Sequence, residues 1–174
     1  MKKHIGKIAL TLVLVCLVAV GILYGTNCFG IRGVKIESDI RASQKIQEDW
    51  TVDGTVSDSV AAFISYPQDK SDHTYSVYVN RPGFSFGYFF RGGGDIVAVE
   101  NFISEFTIEG YNERAFISMN IQRVDHLEVD DGNEVQVIEL DSEKPFAIVL
   151  PRNAGNITFY DIDGNVVEWS NNPL

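Results

Sequence analysis

Two hydrophobic patterns divide the chain. From Ile8 to Gly25 the run IALTLVLVCLVAVGILYG carries no charge, and 11 of its residues are Leu, Ile or Val. From about Ile46 onward, apolar and polar residues alternate in short stretches broken by Gly, Asp, Asn and Pro. The first pattern predicts one helix without a polar face, and the second predicts a series of short strands.

The strand region reads as follows. Ile46, Glu48, Trp50 and Val52 share one parity, and Asp53-Gly54 signals a turn; Val60, Ala62, Ile64 and Tyr66 form the next run. TYSVYVNRPGFSFGYFFR (74–91) reads as a hairpin looping at Pro82-Gly83, which pairs Val79 with Phe86, Val77 with Tyr88 and Tyr75 with Phe90. That register sets Tyr78 over Gly87 and makes Gly92-Gly93-Gly94 a free connection. Asp95 is placed to cap a short helix through Ile96, Val99, Ile103 and Phe106, although their β-branched content equally suits a strand. A hairpin from Glu105–Ile108 to Ala115–Met119 follows. Asp130-Asp131-Gly132 and Ile162-Asp163-Gly164 read as three-residue hairpin loops. The first sets Leu127 against Val135 on the parity of Val129 and Val137; the second sets Phe159 against Val167 and Ile157 against Trp169. Phe146–Leu150, bounded by Pro145 and Pro151, reads as a buried strand.

These elements predict a mostly β fold, an antiparallel β-sandwich or barrel-like domain, preceded by a single N-terminal transmembrane helix. The expected organisation is a basic cytoplasmic tail at 1–7, an anchor at 8–25, a connection at 26–45, an extracytoplasmic β-domain at 46–170 and a tail at 171–174. Eighteen residues at about 1.5 Å each span roughly 27 Å, close to the roughly 30 Å hydrocarbon layer. Lys2, Lys3 and Lys7 precede the run, whereas Arg32 and Lys35 follow it among Glu37 and Asp39, which orients the N-terminus inward. The alternative is a secreted chain cleaved near Ala19-Val20-Gly21.

Charge narrows the partners. All 24 acidic residues and 11 of the 14 basic ones follow position 30, which gives that part a formal charge of −13. Such a surface disfavours nucleic acid and attracts cations or basic partners. Cys16 and Cys28 both precede the domain, so no internal disulfide is expected there.

Candidate chemistry is sparse. His73 and His126 are the only histidines after the N-terminal run, and no serine lies in a G-x-S-x-G elbow. Asp161-Ile162-Asp163-Gly164-Asn165 and Asp130–Asn133 look like calcium loops, but the glycine falls at the fourth place rather than the sixth, and hairpin turns account for both. Two histidines without a thiol pair do not make a zinc site. The triple glycine fits neither nucleotide-binding motif. No cofactor is implied. The candidate binding residues are Tyr78, Phe89 and Arg91, read as projecting from the face opposite Phe84, Phe86, Tyr88 and Phe90, where aromatic rings beside an arginine grip a sugar or a protein.

The phrases Tyr78–Gly83 (YVNRPG), Gly87–Arg91 (GYFFR) with the glycines after it, and Phe159–Val167 (FYDIDGNVV) resemble those of small single-pass exported proteins of Gram-positive bacteria. The resemblance implies location and fold and carries no activity. The expected role is non-catalytic binding of a membrane or envelope protein, the alternative a calcium- or glycan-binding envelope module.

Overall fold

The computed structural model describes residues 2–25, 28–81 and 86–174, with side chains from Leu10 onward. Helix α1 spans Lys2–Gly25. From Leu10 its apolar side chains, Leu12, Leu14, Leu17 and Val18 among them, are exposed except for the half-buried Leu23. Among the described residues, no helix is long and apolar enough to cross a membrane. This corrects the expectation of a transmembrane anchor at 8–25. Among the described residues the fold is mostly β without a membrane-spanning helix, which also removes the support for the expected placement at a cell membrane, N-terminus inside and domain outside.

Among the described residues, twelve strands form three four-stranded sheets. The first is β1 (Thr51–Val56), β2 (Val60–Tyr66), β3 (Thr74–Asn80) and β4 (Tyr88–Gly94), in that order. The central sheet has the order β12 (Trp169–Pro173), β5 (Ile103–Thr107), β6 (Glu113–Ser118), β9 (Phe146–Pro151). The distal sheet has the order β11 (Val166–Val167), β10 (Asn156–Asp161), β7 (Val124–Asp130), β8 (Val135–Glu139). Helix α2 (Ile36–Ser43) covers the first sheet, and the short α3 (Val97–Asn101) precedes β5.

Strand alternation explains the stacking. In β6, Ala115 and Ile117 face the first sheet and join Val60, Ile64, Val77 and Phe106 in one core, while Phe116 points the other way into a second core with Leu127, Ile157 and Phe159. The central sheet is thus buried on both faces, which is why Phe146–Leu150 is an almost unbroken apolar run. On the far face of the first sheet, Ile36 and Ile40 of α2 pack on Ala61, Phe63 and Tyr78. The order of layers is helix, sheet, sheet, sheet.

Several expectations change. Asp53-Gly54 lies inside β1, because a Cβ on Gly54 would stand 2.1 Å from the Ala62 carbonyl oxygen, so the glycine permits close strand approach and the turn comes later. Gly92–Gly94 continue β4, paired with Val77, Ser76 and Tyr75, instead of forming a loose connection. Ile96 rather than Asp95 stands at the N-terminus of α3, and Ile103 and Phe106 are strand residues. Trp169 pairs in parallel with Ile103 of the central sheet and does not face Ile157, so residues 171–173 are strand. The pairing of Phe159 with Val167 is as expected. The proposed Pro82-Gly83 loop and Phe84 lie outside the described residues.

Both remaining hairpins close in a different register. Tyr78 pairs with Phe90 and Val79 with Phe89; Asp130 pairs with Val135 and Leu127 with Ile138. Each differs from the expected pairing by three residues. Because side chains alternate, an odd shift reverses which residues share a face.

Candidate functional site

The register shift separates the aromatic residues singled out in the sequence. Tyr78 is fully buried beneath α2, donates its hydroxyl to Asp39 Oδ2 at 2.7 Å, and meets the Phe90 ring edge-on at 5.5 Å. Burial first, and then the Asp39 carboxylate, raise the pKa of this phenol above its ordinary range. Phe89 pairs with Val79 on the opposite face, buried, with the Arg81 guanidinium 4.0 Å from its ring centre. Arg91 is exposed at the bulge between the Phe90 and Gly92 pairings. The three residues do not converge on one surface.

Both histidines sit beside carboxylates. His73 is buried, with Nε2 3.4 Å from Asp95 Oδ1 but outside hydrogen-bonding geometry. It lines a cleft of about 420 Å³ with Trp50, Asp72 and Gln44. His126 Nδ1 lies 2.6 Å from Asp125 Oδ1, and its ring stacks on Tyr160 at 4.9 Å. Among the described residues, neither ring is hydrogen-bonded to a serine. The acidic turns are occupied by their own backbones: Asp131 Oδ1 accepts from the amides of Asn133 and Glu134, and Asp161 Oδ1 from those of Asp163 and Asn165. These bonds hold the Asp131 carboxyl below its usual range, the Glu134 amide contributing most. Among the described residues, no group of three His, Cys, Asp or Glu is placed to hold a metal.

The feature that sequence reading missed lies where β8 and β9 end their sheets. Since β8 pairs with Asp130 at Val135 and with Leu127 at Ile138, Gln136 and Ile138 turn inward while Val135 and Val137 turn out, 52% and 49% exposed. Two clefts follow one another along the border with β9. One, of about 360 Å³, is lined by Gln136, Ile138, Leu150, Pro151 and Ala154 with Asp131 and Glu134. The other, of about 270 Å³, is lined by Leu140, Phe146, Ala147 and Ile148 with Asp53, Glu139 and Asp141. The two clefts, together called the groove, set apolar side chains beside five carboxylates. Among the described residues, Lys144 is the one base lining it, with its Nζ 2.7 Å from Asp141 Oδ2. A signal was present in the sequence: VQVIEL carries apolar residues on both parities, so alternation alone does not settle its register.

Fold and groove define a layered, mostly β domain with an acidic sheet border at β8. Comparison with protein-family models, curated proteins and solved structures gives no match.

Proposed function

We propose that this chain is a non-catalytic binding domain whose ligand is a cationic segment of another protein, held in the groove between β8 and β9. One observation carries the reading: Ile138, Leu150 and Ala154 line an open cleft directly beside Asp131 and Glu134. Apolar side chains supply affinity through burial, and the carboxylates beside them select the partner by charge. The engagement of the turn carboxylates by their own amides favours this role over calcium binding, because those oxygens already serve the hairpins.

The test uses the full chain and a fluorescent lysine-rich peptide. Saturable binding that weakens as salt rises is expected, and the double variant Glu134→Lys/Glu139→Lys should weaken it by about tenfold or more. Absence of saturable binding, or equal binding by the double variant, refutes the reading.

A further inference from the structure

The backbone along this groove has a direction that charge alone does not explain. In β7 the N–H and C=O of a residue point together toward one neighbour, and the register fixes which. Leu140 N donates to Asp125 O at 2.7 Å, and Asp131 N donates to Glu134 O at 3.3 Å. Both pairs lie in the β7–β8 register, so the even-numbered residues of β8 bond to β7. The N–H and C=O groups of Val135, Val137 and Glu139 therefore point away from the sheet, along its free edge. No described strand takes them, since β8 is the last strand of its sheet. Its sequence, VQVIE, contains neither the proline nor the lysine that commonly blocks such an edge, and its register shows no bulge.

We infer, resting on the reading above, that the cationic segment binds as an added antiparallel β-strand on the free edge of β8, with basic and apolar residues in alternation. Residues opposite one another in an antiparallel pair share a face. Those opposite Val135, Val137 and Glu139 project outward, where Glu139 itself and the β7 neighbours Glu128 and Asp130 supply carboxylates. Those opposite Gln136 and Ile138 project inward over Leu150 and Ala154. Five residues, basic at the first, third and fifth positions and apolar at the second and fourth, satisfy both faces. Backbone bonds give the strand its affinity and the alternate side chains its specificity. A second copy of this chain is the poorer occupant, because pairing β8 with itself sets these carboxylates against one another.

Two peptides of one composition separate an added strand from charge capture: Lys-Val-Lys-Val-Lys, and its rearrangement Lys-Lys-Lys-Val-Val, both capped and flanked by threonines. The alternating peptide is expected to bind the full chain about tenfold more tightly. Val137→Pro removes an outward N–H without touching the β7 ladder, as edge positions allow. It should bring the alternating peptide down to the level of the rearranged one while leaving the melting temperature in place. If Val137→Pro lowers the melting temperature, N-methylation of the peptide's central lysine deletes a bond from the other strand and should give the same loss. Failure of both peptides to bind refutes the groove as well as the strand. Equal binding of both, abolished by Glu134→Lys/Glu139→Lys, leaves cationic capture standing and refutes the added strand. A dimer that Val137→Pro dissolves, with no peptide binding, gives the edge to a second copy and likewise overturns the inference.

Discussion

The two outer sheets of this molecule are built alike and finished differently. The first sheet is closed on its far face by Ile36 and Ile40 of α2, and beside β4 by the bridges of Phe29 and Ile31 to Phe86 and Tyr88. Among the described residues, the distal sheet has neither covering. Its outer face carries Val135, Val137, Glu128 and the stacked His126–Tyr160 pair, and β8 ends in unpaired backbone. A covered face must be filled for the domain to be stable, whereas an open one is free to be shaped by what it binds. The difference separates a face that stability has filled from the one on which the proposed binding site lies.

The sharpest way to break that comparison is to make one truncation on each sheet. Ile40→Ala empties a fully buried site under α2 and should cost about 2–5 kcal/mol of unfolding free energy. Val137→Ala, on the open face, should stay within about 0.5 kcal/mol. Denaturant melts of the two variants measure this directly, and equal costs would erase the distinction.

A smaller effect sharpens the contrast by testing how the first sheet is tied to the central one. Glu113 of β6 accepts hydrogen bonds from the Ser57 hydroxyl at 2.6 Å and the Ser59 amide at 3.1 Å, with the Ser59 hydroxyl as a third donor. Desolvation raises the pKa of this carboxyl, but the bonds from Ser57 and Ser59 outweigh it and leave the group below its ordinary value of 4.5. A carboxyl depressed in the folded state stabilises above its unfolded pKa and loses that contribution as pH falls through the folded one. Glu113→Gln should therefore cost about 1–3 kcal/mol near neutrality. The gap from the parent should narrow as pH drops below about 4.5. A gap that is constant across that range would show that the charge plays no part.

The same contrast explains what could be read from the sequence. Strands whose two faces both lie in core, such as Phe146–Pro151 and Val60–Tyr66, were legible because burial dictates their residue types. The acidic border was legible only as net charge. Register was the point of failure in both misread hairpins. Maximising shared apolar parity placed Val135 and Val137 inside with Leu127, and Tyr78 outside with Phe89. In each case the loop is longer than the tightest turn allows, and the odd shift reverses the faces. Val135 and Val137 lie on the exposed side of the sheet, against the pattern that alternation suggests. The three glycines were misread for a related reason. Gly93 lies so near the Tyr75 carbonyl and Gln44 that a Cβ would meet them at 2.6 and 3.1 Å, a constraint that only the folded neighbours reveal.

Residue-resolved amide hydrogen exchange on β8 tests the central claim most directly. In the free chain the Gln136 and Ile138 amides should be protected by β7, while those of Val135, Val137 and Glu139 should exchange as open backbone. On saturation with the alternating basic peptide, the latter three should become protected as a set. Protection of Val137 equal to that of Ile138 before any peptide is added, or no gain after it, would contradict the account.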